Sequence, residues 1–282
     1  MVQNGLAADA SRICTASLTQ WEEASVLVPW DVNKLRNFEP ADVVARMSQA
    51  LTPYEDKFFP YEYGTTRLIY DSHQVPREDV ATLNVFLNPV YSGKVSLPRD
   101  PNHLVAAALL ATGTTSWDDV SDVQLDRALE WIEAVHPHVH SYWDDEEVLS
   151  ANLARGTVLV AWAWNSILVE NVAFNPRLQF APDTSGVSAW VCGYVRLTRD
   201  ETRAEALHDF VNAHISTAAA RKLLSWGLGH ADKGAMDKLS TPSELQRYGL
   251  TLPDAQVFFE TPMPAWVRTR MTHGVELILA NM

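Results

Sequence analysis

Apolar positions along the chain follow two periods. Leu125, Ala128, Leu129, Ile132 and Val135 recur at helical spacing, with Ser121 placed to open the helix and Pro137 to end it. A second helix is predicted over 103–111, with Asp100 as cap, Pro101 in the first turn and Gly113 just past its end. Further helices are predicted over 146–154 (stopping at Gly156), over 202–215 and 216–224 as a pair, and over 266–279. Residues 157–164, in contrast, run without a polar break between Gly156 and Asn165 and are rich in β-branched and aromatic types. That pattern predicts a strand buried on both faces of a parallel sheet. Residues 187–197 and 66–70 predict two more strands. Helices alternating with such strands give an α/β protein. No internal repeat and no polar linker interrupts the chain, so any two lobes must be joined along strands.

Length permits this: 282 residues, 47% of them hydrophobic, can bury a core large enough for two lobes. The longest apolar runs, such as 104–111, fall well short of the roughly 20 residues that span a bilayer. The net charge of −13, from 35 acidic against 22 basic residues, argues against a nucleic-acid partner, which needs clustered Lys and Arg. An acidic field attracts cationic solutes weakly; it serves solubility equally well. The first residues, Met1 to Gly5, have neither a basic nor an apolar leader region, which read alone points to the cytoplasm.

Catalytic signatures are sparse. There is no phosphate-binding glycine loop and no nucleophile elbow. Cys14 with one of nine histidines would make a nucleophile–base pair, but nothing in the sequence fixes their geometry. His136, His138 and His140 alternate after a helix, where they suit either a metal ion or a solvated loop; no acid or cysteine at suitable spacing completes a metal set. No enzyme activity, metal or cofactor is expected.

Several segments carry a family resemblance. Pro60-Tyr61-Glu62-Tyr63-Gly64-Thr65-Thr66 is similar to the entry into the first crossover strand of the spermidine/putrescine-type periplasmic solute-binding proteins of ABC transporters. The stretch from Asn88 through Pro89, Tyr91, Gly93 and Lys94 to Val95 resembles the signature that follows there. Ala161-Trp162-Ala163-Trp164-Asn165 resembles the strand-to-helix turn of the second lobe, and Ser188-Ala189-Trp190-Val191-Cys192-Gly193 the return hinge strand. Glu23 to Phe38 and the turn Gly227-Leu228-Gly229-His230 match in order, so the resemblance extends from about residue 9 onward.

The resemblance implies a type II periplasmic binding fold: two α/β lobes joined by crossover hinge strands, closing on a ligand. It implies a first lobe from 1–70 plus 191–240, and a second from 71–190 plus 241–282. Family members begin with a strand, a helix and a strand ahead of the region matching Asp9, so a first lobe truncated at its N-terminus is expected. It further implies capture of a small amine-containing or cationic solute, polyamine-like, amino-acid-like or betaine-like. The partner would be a cognate ABC permease; the protein would be a periplasmic monomer, peripheral to the membrane.

Trp164 and Trp190 match the family's two aromatic walls, although tryptophans beside long apolar strands are by default core. Asp145, with Asp144 beside it, falls near the acidic residue of the second lobe, where acids also simply suit a helix N-terminus. Tyr63 matches an aromatic residue of the first lobe, Cys14 a loop hydroxyl, and Asn165 stands at the strand-to-helix turn. Cys192 stands where polyamine binders carry an aspartate for an ammonium, so a solute with a single cationic end is expected. Both cysteines map to the cleft side of one lobe; two free thiols is the simpler state, and a disulfide across the site floor the alternative. A relative that has lost ligand binding is the competing reading of the whole chain.

Overall fold

The computed structural model describes residues 8–254 and 256–280; the leader reading at Met1 to Gly5 lies outside them. Two long antiparallel strands organise the chain. β2 (Phe58–Asp71) is preceded by β1 (Ala10–Cys14), α1 (Leu18–Glu23) and α2 (Asp42–Leu51). Its long partner is β7 (Val187–Arg196). Only 66–70 of β2 reads as a strand in sequence, because its first half carries Pro60, Glu62 and Thr65. All but Pro60 of its 14 residues are nevertheless buried.

Between these strands the chain supplies β3 (Val95–Pro98), α3 (Pro101–Ala111), α4 (Asp122–Val135), β4 (Val139–Trp143) and α5 (Glu146–Arg155). Then come β5 (Val160–Trp164), α6 (Asn165–Asn171) and β6 (Leu178–Phe180). After β7 come α7 (Glu201–His214), α8 (Thr217–Ser225), β8 (Gly229–His230), α9 (Lys233–Asp237) and α10 (Pro242–Arg247). The last elements are β9 (Val257–Phe259) and α11 (Ala265–Leu279). Helix ends follow their sequence signals: Asp100 accepts from the Asn102 N–H, Ser121 and Gln124 form a reciprocal cap, and Gly156 closes α5 in the left-handed region at φ 72°.

All nine strands found among the described residues join one mixed sheet, in the order β1-β7-β2-β5-β3-β4, with β6, β8 and β9 attached beside the long pair. Each long strand changes its outer partner midway. β2 pairs with β8 at Glu62 and Tyr63, then with β5 from Thr66 to Tyr70. β7 pairs with β9 from Val187 to Ala189, then with β1 from Cys192 onward. The changeover falls at Gly64 and Trp190, which lie opposite each other. The sheet forks there.

Each arm of the fork is covered on both faces. In the β1 arm, Val191 and Val195 pack with Val43, Val44 and Met47 of α2, while Tyr61 and Tyr194 pack opposite with Val211 and Leu223. In the β3–β5 arm, Leu68 and Trp162 meet α3, α4 and α11, while Ile69 and Ala161 face α5 and α6. Neighbours Leu68 and Ile69 thus enter different cores, each contributing about 1.5–3 kcal/mol by full burial. Among the described residues no helix is long and apolar enough to cross a membrane.

Cys14 and Cys192 face each other across β1 and β7, with Cα atoms 3.8 Å apart, and are joined as a disulfide. The simpler expectation of two free thiols is therefore corrected: register brings the side chains together on one face. The bond closes a separation of 178 residues, and it fixes a strand whose one partner among the described residues is β7. Reduction, or Cys14→Ser with Cys192→Ser, is expected to lower stability by about 2–4 kcal/mol in urea titrations.

Candidate ligand cleft

A cavity of about 710 Å³ opens at the fork, and Trp164, Trp190, Cys14 and Cys192 all line it. Trp190 is placed by register. Its indole lies across Gly64, where a Cβ would stand 2.3 Å from the ring, so only glycine leaves room. Trp164 ends β5 and is held edge-on between His103, at 5.5 Å, and Trp143, at 5.1 Å between centroids. Trp143 is itself fixed by donating from its indole N–H to the Trp162 carbonyl at 3.0 Å.

The other residues expected at the site lie elsewhere. Tyr63 pairs with Val191 rather than Trp190, which turns it to the opposite face of the sheet. There it is 4% exposed in the α2 core, and burial pushes its phenol above the ordinary range. Asp145 caps α5, accepting from the Glu147 and Val148 N–H groups at 2.8 and 3.2 Å. Asp144 borders a neighbouring cavity of about 740 Å³ that shares Trp164 and His103 with the cleft.

Asn165 is fully buried and its amide is fully engaged: Oδ1 accepts from the Thr65 N–H at 3.0 Å, and Nδ2 donates to the carbonyls of Gly227 and Tyr248 at 2.6 and 2.8 Å. It pins α6 to β2 at the fork. Asn165→Leu would leave three backbone groups without this partner, two of them buried, and a loss of about 3 kcal/mol is expected in urea unfolding.

Several lining residues were not singled out from sequence: Arg12, His103, Glu146, Glu170, Trp226 and Glu260. Nothing local marks them, since each becomes a neighbour of the cleft only through long-range packing. The Asp100-Pro101 cap was the one available signal, because it aims the first turn of α3, and so His103, at the cleft. Glu260 is 2% exposed and accepts from Ser188 Oγ at 2.7 Å, with His103 Nδ1 at 3.0 Å. Burial alone would lower the His103 imidazole, but the charge and hydrogen bond of Glu260 outweigh it and raise it above the ordinary 6.5.

Glu146 is raised as well, by burial first and then by the nearby charges of Glu170 and Asp145. Among the described residues no cation pairs with Glu146 or Glu170. The cleft therefore combines aromatic walls with uncompensated carboxylates, a combination that favours a cation.

His136 stacks on Tyr142 and shares a hydrogen bond with its hydroxyl at 3.1 Å. Among the described residues no three His, Cys, Asp or Glu side chains are grouped to hold a metal. Cys14, tied in the disulfide, offers no thiol nucleophile.

A forked mixed sheet with a cleft at the crossing of two long strands is the periplasmic binding protein fold. The chain belongs to the bacterial extracellular solute-binding proteins, whose family model matches residues 16–233. This is a family of solute binders and not of enzymes, and it implies placement in the periplasm or outside the cell.

Similar solved structures include a spermidine/putrescine ABC transporter protein from Listeria monocytogenes, with TM-score 0.81 and 17% identity over 97% of this chain and 84% of that one. The PotD substrate-binding protein of Streptococcus pneumoniae is 14% identical over 99% of this chain and 85% of its own, with TM-score 0.74. MotA from A. tumefaciens B6, solved with glucopine, is 17% identical over 98% and 84%, with TM-score 0.75. A comparison with curated proteins finds no match.

The His103–Glu260 pair gives a pH signature. A histidine raised in the folded state contributes stability fully below pH 6.5, and the contribution fades as pH rises through the raised value. Melting temperatures should fall over that range in the native chain, and fall less in Glu260→Gln.

Proposed function

We propose that the protein is the binding component of an ABC importer and captures a small amine-containing or cationic solute in the cleft at the fork. The observation that carries this reading is the pair of carboxylates, Glu146 and Glu170, that lack a cationic partner among the described residues and line the cleft with Trp164 and Trp190. An ammonium placed there gains charge-assisted hydrogen bonds and about 0.5–2 kcal/mol from each aromatic face. Trp226, exposed at the mouth under the Lys222 ammonium at 4.5 Å, already holds a cation over a ring. The similar structures include spermidine/putrescine transporter proteins and a glucopine complex.

In this reading two lobes part along the fork, and the chain acts as a periplasmic monomer, peripheral to the membrane, delivering its solute to a cognate permease. Leu245 and Leu252 stay with the α2 core, and α11 stays with α3 and α4. The hinge is the Gly64–Trp190 crossing, where the strands change neighbours.

Isothermal titration with a panel of linear amines, amino acids and betaines tests the proposal. A member of the panel should bind, and Trp164→Ala or Glu170→Gln should weaken it at least about tenfold. Because the Glu146 carboxyl is raised, its charge is lost on acidification already above its ordinary 4.5, and amine affinity should fall there too. A folded protein indifferent to the whole panel would sink the reading in favour of a relative that no longer binds.

A further inference from the structure

The charges around the cleft are segregated. Glu146 and Glu170 come from α5 and α6 on one side, where His103 of α3 is already paired with Glu260, while Arg12 of β1 stands on the other. The Arg12 side chain is half exposed, at 50%, and is ion-paired with Glu62 of β2, which is 3% exposed. Register explains the pairing. Cys14 lies opposite Cys192, and Cys192 opposite Glu62, so three adjacent strands present the disulfide and the buried carboxylate in one row. Arg12 is two residues from Cys14 and shares its face of β1. A guanidinium carries five N–H donors, and a single carboxylate leaves some of them for a second acceptor.

We propose that Arg12 anchors a carboxylate of the solute, so that the preferred ligand is a zwitterion with its ammonium toward Glu146 and Glu170 and its acid toward β1. Glu62 is the positioning residue, buried and aiming the guanidinium, and the disulfide fixes the edge strand that carries it. The proposal rests on the amine reading above and narrows it. A diamine would bring its second ammonium against a guanidinium, a like-charge contact that discriminates against fully cationic solutes. Glu62 cannot serve that ammonium, because it is buried and already neutralised. The charge segregation therefore selects for one amine and one acid.

The test compares three linear compounds of equal carbon number by isothermal titration: δ-aminovalerate, cadaverine and valerate. In the native chain δ-aminovalerate should bind at least about tenfold more tightly than cadaverine, and valerate weakly or not at all. Arg12→Gln alone leaves Glu62 buried and unpaired, so the double variant Arg12→Gln with Glu62→Gln serves as the folded control. Its preference should vanish through loss of δ-aminovalerate affinity, with cadaverine unchanged or improved. Reduction of the disulfide should shift the ratio in the same direction. Equal or tighter binding of cadaverine by the native chain overturns the proposal and leaves the amine reading standing, as does a preference that survives in the double variant. Failure of all three compounds to bind a folded protein that takes another amine of the panel overturns the proposal alone, and indifference to the whole panel overturns both.

Discussion

The antiparallel pairing of β2 with β7 is the constraint from which the rest follows. A strand of 14 residues that exchanges one neighbour for another has, at the exchange, a point where the sheet opens and no further strand fills the gap. At that point the chain places its smallest residue against its largest: Gly64 faces Trp190. Side-chain parity then distributes everything nearby. Glu62, Cys192 and Trp190 share the cleft face, and Tyr63 and Val191 share the core face. A slip of one residue would exchange the two sets, so cleft and core are specified by one register.

Two kinds of carboxylate result. Glu62 and Glu260 are nearly inaccessible, and each has a cationic partner, with Ser188 donating to Glu260 as well. Such buried pairs contribute little net stability, since desolvation offsets much of the attraction, but removing one partner is costly. They hold Arg12 and His103 in place. Glu146 and Glu170 are the other kind: burial and then the Glu170 charge raise the Glu146 carboxyl, and among the described residues neither has a counter-ion. Under the proposed function a bound ammonium relieves this repulsion, and the energy that disfavours the empty cleft becomes binding energy.

Much of the fold was legible in the sequence, because its strongest signals are local. The caps at Asp100 and Ser121, the stop at Gly156 and the unbroken apolar run into β5 all form where the pattern predicts. The first half of β2 was not legible, since a strand with Pro60, Glu62 and Thr65 lacks apolar periodicity; its burial comes from partners far away in sequence. The site was legible in its walls and less so in its charges. Trp164 and Trp190 stand beside long strands and follow from the family pattern. Arg12, Glu146 and Glu170 sit in unremarkable polar surroundings and acquire meaning only when three helices and an edge strand converge. Asn165 and Tyr63 occupy the expected neighbourhood, yet one is used up as a pin and the other is turned away by parity.

The edge position of β1 links stability to recognition. An edge strand has half the ladder of an interior one and is the first part of a sheet to fray. Here it carries Arg12, and Thr15 just beyond it donates to the Glu260 carbonyl. The segment therefore meets the Glu62 carboxylate through Arg12 and the Glu260 backbone through Thr15. A covalent tie between Cys14 and Cys192 holds it at the one position where both contacts form together. In the proposed mode Glu62, buried one strand over from Cys192, acts through Arg12, and the cleft offers a guanidinium at one end and carboxylates at the other.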